Sequence, residues 1–342
     1  MIVLVDTHIK SQFYPFTLTR HTAELRIGIL TIKEKWEALT NQKVSLNEQD
    51  DGIKVPANII PNILNFQKIL DAAESEETIV AGGDLIMLNH PWHLFQYNDV
   101  ALKHDFILLT KNKISEPISS TNTIINSSHI FIAPGATVEY CSLNASNGPI
   151  YIDANATVME GSFIRGSFYA GTNSIVKMGT KIYGATSIGA NCTIGGEIKN
   201  SILLANSNKA HDGYLGDSVL GEWCNLGAGT SNSNVKNTGG NVGYKLATNE
   251  PLIYAGNKAG LLMGDYSRAA INTSFNTGSV VGVCCNIFGS AMPPKYTPNF
   301  TWGNEKYDFD KALKDIENWK QMKGQTLQND EIIQLKKIYT LP

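Results

Sequence analysis

The sequence predicts a mainly β protein built on a left-handed parallel β-helix, with a small N-terminal α/β domain and C-terminal helices, and three observations lead there. Aliphatic side chains recur every six residues at Ile152, Val158, Ile164, Ala170, Val176, Ile182, Ile188 and Ile194. Four residues after each stands a mostly small side chain: Ala156, Ser162, Phe168, Ser174, Thr180, Thr186, Cys192 and Ile198. Glycines at 161, 171, 179, 184, 189 and 195 punctuate the same stretch. If about a third of positions were aliphatic by chance, such a run would arise roughly once in several thousand trials. The period is therefore a property of the fold.

Six is neither a helical nor a heptad period. A six-residue unit with one inward aliphatic, one small inward residue and a turn former is a short strand plus a bend, and three units close a triangular coil. Stacked coils pair each strand with those above and below, and the aliphatics form ladders inside the prism. The glycines relieve corners, where positive φ or close backbone approach is common. A β-sandwich would place its turn signals every 8 to 12 residues, which strict sixes contradict.

The repeat extends upstream through Ile132 and Val138 and downstream through LGDSVLGEWCNLGAGTS at 215–231 and LMGDYSRAAINTSFNTGSVVGVCCNIFG at 262–289. It is interrupted by a short loop at 144–149 and by a longer Asn- and Gly-rich excursion at 232–257. Long excursions from a solenoid are usually loops near the binding face. Past Pro293-Pro294, helical spacing predicts a helix over 308–322 with Asp308 as N-cap and a second over 330–339. Both are expected to cap the open strand edge at the C-terminal end of the β-helix. Before the repeat, a strand at 2–5, helices at 29–39 and 63–72 and a strand at 77–80 suggest a small α/β domain. The expected organisation is 1–112, 113–292 and 293–342, with the first border somewhere in 109–122.

Composition narrows the function. With 42% hydrophobic and 17% charged residues and a net charge of -3, the chain lacks the basic footprint of a nucleic-acid or anionic-membrane binder, so a small-molecule ligand is expected. The apolar run 1–5 is too short for a signal segment or a membrane span. Cys141, Cys192, Cys224, Cys284 and Cys285 form an odd set without CxxC or zinc-ligand spacing. They read as reduced thiols packed in a core, which suits a cytoplasmic location.

Two stretches carry a resemblance. KNSILLANSNKAHDGYLGDSVLGEWCNLGAGTSNSN at 199–234, with its His-x-x-Tyr, Gly-Asp and Gly-Ala-Gly-Thr elements, resembles the acetyltransferase half of the bifunctional enzyme that makes UDP-N-acetylglucosamine. YPFTLTRHTAELRIGILTIKEKW at 14–36 resembles a branch of sugar nucleotidyltransferases of that type seen in Bacteroidetes-type bacteria. With KMGTKIYGATSIG and INTSFNTGSVVG, the similarity spans nearly the whole chain. It implies a homotrimeric transferase that moves an acetyl group from acetyl-CoA to the amine of a hexosamine 1-phosphate in cell-envelope precursor synthesis. Such a reaction needs a base for the amine proton and donors for the carbonyl oxygen as it becomes negative. His211 is the natural base, since histidine titrates near neutrality and the family's His-x-x-Tyr histidine has this role. The resemblance places Lys199 and, in place of a family arginine, Lys181 on the sugar phosphate, although lysine lacks the bidentate fork. It places Tyr214 and Asn225 on the sugar, and Asn234 and, across the excursion, Lys258 on the acyl donor.

The N-terminal half resembles a truncated nucleotidyltransferase. Family enzymes cradle the triphosphate in a glycine-rich loop directly after the first strand, followed by Arg and Pro-Lys. Here IVLVD runs into THIKSQFYPFTLTR with no glycine before Gly28, and His21-Thr22 stands where Pro-Lys would. Asp84 in AGGDL matches the family's magnesium-binding Asp, but a Gly-Gly-Asp turn serves equally well as plain structure. Two other readings remain open: a nucleotidyltransferase using Arg20, Arg26, Asp84 and magnesium, and a non-catalytic sugar-nucleotide-binding homologue.

Overall fold

The computed structural model describes residues 1–341, and its frame is the expected parallel β-helix. Each hexapeptide folds as a short strand and a bend. Equivalent strands stack into three ladders: a first face from Ile130–Ile132 to Tyr296–Thr297, a second from Thr137–Val138 to Thr301–Trp302, and a third from Thr123–Ile125 to Tyr214–Gly216. Register is kept residue for residue, so that Ile164, Ile182, Ile198 and Leu215 follow one another down the third face. All are buried in the prism. Cys141, Cys192, Cys224 and Cys285 join the same interior, and no cysteine is bridged. Burial pushes the Cys192 thiol up to about 12 and that of Cys285 up to about 11, as apolar packing requires.

One corner shows how local chemistry sets packing. Asn155, Asn173, Asn191 and Asn206 turn it on successive coils with left-handed φ of 56 to 64°, a conformation the short polar side chain tolerates. On the next coils the same corner is turned by Trp223, Tyr266, Cys284 and Phe300, all with positive φ. These bulky residues are buried against two helices, α4 (Phe309–Gln321) and α5 (Asn329–Tyr339). Packing there offsets the backbone cost. Asp308 caps α4 as expected, its carboxylate accepting from Lys311 N at 2.9 Å. The helices lie along this corner rather than over the end of the prism, and Lys323 beyond α4 donates to the carbonyls of Asn191 and Asn206. The strand edge of the second face is instead finished by an antiparallel return, Glu305–Lys306 on Thr301–Trp302.

The strict period ends at Ile194 for a structural reason. Phe168 pairs with Thr186 eighteen residues on, but Ser187 pairs with Ile202 and Ile194 with Lys209, only fifteen on. The shortened coil brings Lys209 into an inward position of the second face, between Ile194 and Leu226, where it is 1% exposed. Its ammonium donates to the carbonyls of His211 at 2.7 Å and Gly195 at 3.2 Å.

The N-terminal region covers the first face. Strand β1 (Ile2–Val5) is flanked in parallel by β2 (Val44–Ser45) and β3 (Ile53–Pro56). Helix α1 (Ile32–Thr40) starts at a reciprocal Thr31–Glu34 capping box and ends at a left-handed Asn41, and α2 spans Phe66–Glu74. The strand expected over 77–80 is absent: that segment is mostly exposed, and β3 holds the ladder position beside β1. Helix α3 (His93–Thr110) was not expected, because buried Asn98 and Asp105 interrupt its apolar spacing. Those two side chains staple it. Asn98 donates to Ala185 O and accepts from Gly28 N and Ser187 Oγ, while Asp105 pairs with buried Lys35 and accepts from Ile29 N and Leu30 N. Around them Ile29, Leu102 and Phe106 pack on Phe131, Tyr151, Tyr169 and Ala185 of the first face.

The excursion at 232–257 also folds differently from a loop. Val242–Tyr244 and Ile253–Gly256 form an antiparallel hairpin, and buried Tyr244 stacks on Trp92 at 5.1 Å between centroids. Gln96 of α3 donates to Ala255 O at 2.8 Å. The excursion is thus a clasp between the β-helix and α3.

Burial of the Lys209 ammonium pulls its pKa down from 10.5 to about 8. Between these values the unfolded chain holds a proton that the folded chain has released, so stability rises with pH in this window. Relative to Lys209→Met, the parent chain is expected to gain up to about 3 kcal/mol from pH 7 to pH 10.5 in urea unfolding. A difference that stays constant over this range would mean that the ammonium is hydrated.

Candidate functional site

The third face presents two outward columns. Tyr214, Glu197, Lys181 and Phe163 stack in one; Gly216, Lys199, Tyr183 and Arg165 stack in the other. Lys181, Lys199 and Tyr214 therefore come together because the coil length puts them on neighbouring strands. His211 sits in the turn leading from the second face into Tyr214–Gly216, with its side chain exposed. The buried Lys209 ammonium holds the main chain of that turn at the His211 carbonyl.

Tyr214 lies across Gly216. A β-carbon built on Gly216 would stand 2.2 Å from the phenol oxygen, so the missing side chain is what lets the ring fold over its own strand. Asn234 donates to the phenol oxygen at 3.1 Å and also to Asp217 Oδ2. Asn200 donates to Asp217 Oδ1 at 2.7 Å, so Asp217 orients two amides on the corner beside Lys199. Burial raises the Tyr214 pKa. The phenol is protonated at neutral pH, its oxygen accepts from Asn234, and no acceptor takes its proton among the described residues. It has a hydrogen bond to give to a ligand. Tyr183 donates to Glu197 Oε1 at 2.5 Å, which pushes its own pKa up to about 12, and the Lys199 ammonium lies 5.8 Å from the Tyr183 ring centroid.

The ladder splits at this place. Beyond Gly216, where a peptide group would continue the pairing, the Asn232 side chain accepts from Gly216 N at 2.9 Å and donates to Gly216 O at 3.0 Å. The chain then leaves for the hairpin and returns at Ala259, whose N–H donates to Asn234 O at 2.9 Å. Lys258 is thereby set beside Asn234, with its side chain exposed.

Of the residues singled out from the sequence, Lys181, Lys199, His211, Tyr214, Asn234 and Lys258 gather on or at the edge of the third face. Asn225 does not. It lies on the second face between Asn208 and Arg268, because its strand precedes the corner that the site follows. Asp217, Asn200 and Lys209 were missed as site residues. The Gly-Asp element was a signal for the first, whereas Lys209 had none, since only the shortened coil turns it inward.

The N-terminal residues of the nucleotidyl-transfer reading are not brought together. Three short turns, Lys10–Phe13, Phe16–Leu18 and Thr22–Glu24, follow β1, and Phe13 and Phe16 are buried among them. Arg20 pairs with Asp265 and lies 3.6 Å from Glu222, both on the β-helix. Arg26 donates to Ile29 O and stands 5.6 Å from the Tyr169 ring centroid. Asp84 is exposed in a turn whose carbonyl accepts from Asn65 at 2.9 Å. Both arginines join the N-terminal region to the prism.

Asp6, His21 and Glu48 form a potential metal cluster after β1, with ligand atoms within 4.8 Å of one another. His21 Nδ1 already accepts from Ala23 N at 3.1 Å, so in the neutral ring Nε2 carries the proton, toward Asp6 Oδ1 at 3.3 Å. Burial lowers the His21 pKa and keeps the ring neutral. In that tautomer the imidazole has no lone pair left for a cation.

Comparison with known proteins bears on both halves. The family model described as sugar nucleotidyl transferase matches residues 2–50. A bifunctional protein GlmU from Nostoc sp. is 31% identical over 175 residues, covering 49% of this chain and 33% of the relative. A bifunctional sugar-1-phosphate nucleotidylyltransferase/acetyltransferase from Sulfurisphaera tokodaii is 30% identical over 152 residues, 42% of this chain and 36% of the relative. The chain is similar to these bifunctional enzymes. The GlmU of Methanocaldococcus jannaschii is 34% identical over 96 residues, 28% of this chain and 23% of its own. The chain thus spans about a third or less of the length of these relatives. A solved structure of Arabidopsis UDP-N-acetylglucosamine acyltransferase aligns with 66% of this chain and 92% of its own at 14% identity, with a TM-score of 0.24. No helix among the described residues is long and apolar enough to cross a membrane.

Because no glycine-rich loop follows β1, UDP-N-acetylglucosamine incubated with magnesium and pyrophosphate is expected to release no UTP, and Asp84→Ala to change nothing. Magnesium-dependent turnover that Asp84→Ala abolishes would restore the nucleotidyl-transfer reading.

Proposed function

We propose that this protein is an acyltransferase that moves an acetyl group from acetyl-CoA to the amine of a hexosamine 1-phosphate. The observation that carries this reading is the gathering of His211, Tyr214, Lys199 and Lys181 at one edge of one face, in a chain similar to bifunctional nucleotidylyltransferase/acetyltransferases. The two ammonium groups attract the phosphate of the acceptor. The Tyr214 phenol, with its proton unspent, donates to the sugar or to the thioester carbonyl as negative charge develops there. His211 takes a proton from the attacking amine as the nitrogen–carbon bond forms and the carbon–sulfur bond breaks, and passes it to the departing thiolate. Lys258 and Asn234, beside the ladder split, face the acyl donor in this reading.

The same reading includes a homotrimer. The first face is covered by the N-terminal region and much of one corner by α4 and α5, whereas Phe163, Arg165 and Lys181 on the third face are exposed. Its strands alternate exposed and buried, as in Phe163–Arg165, whereas first-face strands are buried throughout, as in Phe168–Ala170. A convex prism offers one wall of a site. A neighbouring prism supplies the other, and closed threefold packing suits a triangular section.

His211→Ala is expected to keep the fold and lower acetyl transfer to glucosamine 1-phosphate by about 100-fold or more, read as release of free CoA. Unchanged turnover would remove His211 from the mechanism. Light scattering at micromolar concentration should give about three times the 37.3 kDa chain mass. A stable, active monomer would refute both the trimer and the shared site.

A further inference from the structure

Lys209 is a buried cation that the proposed reaction does not use, and the coil beneath it explains its place. Four residues link Val176 to Lys181 across the corner between the second and third faces, and four link Lys209 to Tyr214. On the coil between these two, only Gly195 and Gly196 join Ile194 to Glu197. One of the residues missing there is the one that points inward. On other coils that residue carries a hydroxyl: Ser162 and Thr180 both donate to Lys177 O, and Thr230 and Thr273 both donate to Ala270 O. The coil of Lys209 has Gly213 in this place, so two successive inward positions carry no side chain. The buried side chain of Lys209 ends there instead. Its ammonium donates to Gly195 O, the equivalent of Lys177 O, and also to His211 O.

The turn 210–213 rests directly on the two glycines. A β-carbon on Gly195 would stand 2.7 Å from Ala210 O, and one on Gly196 would stand 2.8 Å from both His211 O and Gly213 O. Gly195 N donates to Lys209 O at 2.7 Å, Glu197 N to Gly213 O at 3.1 Å, and Gly229 N on the next coil to Asp212 O at 2.9 Å. The carbonyls of Lys209, Asp212 and Gly213 are thus held by main-chain donors. That of His211 is held by the Lys209 ammonium and by no other donor among the described residues. Taking a charge out of water is costly unless hydrogen bonds offset it. A methionine would fill the same space without that cost, and would leave His211 O without its donor.

We propose that Lys209 is a positioning residue for His211: from inside the prism its ammonium fixes the peptide group after His211, and with it the direction in which the imidazole leaves the corner. This rests on the proposed acetyl transfer and deepens it by naming what aims the base. A base must meet its proton at hydrogen-bond distance, and a misplacement of about 1 Å costs up to about 100-fold in rate. The lysines assigned to the phosphate, Lys181 and Lys199, stand on other strands. A loosened turn therefore lowers turnover and leaves acceptor affinity in place.

The test compares Lys209→Met with the parent chain in acetyl transfer to glucosamine 1-phosphate, read as release of free CoA. The kcat is expected to fall about 10-fold or more while KM for the acceptor and for acetyl-CoA each stay within about 2-fold. In a chain that already carries His211→Ala, the same substitution is expected to change kcat by less than about 2-fold, because nothing is left to aim. Amide hydrogen exchange is expected to quicken at 210–213 and to stay unchanged over 130–176. Unchanged kcat, an equal loss in both backgrounds, or quickened exchange along the whole prism overturns the proposal. Should Lys209→Met fail to fold, Gly196→Ala carries the test, since a β-carbon there displaces the same carbonyl from outside the prism. The same loss of kcat at constant KM is expected of it, and unchanged kcat overturns the proposal. A parent chain without acetyl transfer removes the enzymatic reading instead. Exchange then decides alone: quickening confined to 210–213 keeps the role of the ammonium in holding the turn, and its absence overturns it.

Discussion

Everything in this molecule hangs on the pairing of each inward aliphatic with the one a coil above it. Ile164, Ile182, Ile198 and Leu215 are buried and in register, and a slip of one residue would turn this row to water and the charged columns into the prism. That constraint also writes the surface. Because outward residues stack as strictly as inward ones, Lys181, Lys199 and Tyr214 meet on one face although they are far apart in sequence. The site is a by-product of register.

The three faces then diverge through what covers them. On the first, Phe131, Tyr151 and Tyr169 point outward and would be unfavourable in water; the N-terminal region buries them. Two polar side chains, Asn98 and Asp105, fix that region in place by satisfying backbone groups of the loop at 28–30 and of the prism, and Lys35 neutralises Asp105. At the corner between first and second faces, bulky residues in left-handed conformation are tolerated only because α4 and α5 surround them. On the third face Lys181 and Arg165 are exposed and make no ion pair among the described residues. An N-terminal region that resembles a nucleotidyltransferase in sequence has its arginines committed to this covering role, with Arg20 on Asp265 and Arg26 over Tyr169.

The ladder split at Asn232 links fold and site. An amide side chain standing in for a peptide group lets the chain leave the prism without orphaning Gly216, and the departing strand carries Asn234 to Tyr214. The excursion that compositional reading treats as a loop is ordered by Trp92 and Tyr244, which lie far from each other in sequence. Its stem, not its tip, reaches the candidate residues.

The sequence by itself determined the β-helix, its interior thiols, the C-terminal helices and the nearness of Lys199, His211, Tyr214 and Asn234 within one motif, because a six-residue period is a local pattern and each coil repeats it. It also showed that no glycine-rich loop follows the first strand, the first glycine being Gly28. Tertiary structure alone decided the rest. The burial of Lys209 depends on a coil three residues short, the helix α3 on polar side chains whose partners lie on other elements, and the separation of Asn225 from Tyr214 on which side of a corner each strand falls. The exposure of Phe163 beside Arg165 depends on which faces are covered, and that is settled by contacts between distant segments rather than by any residue's neighbours in the chain.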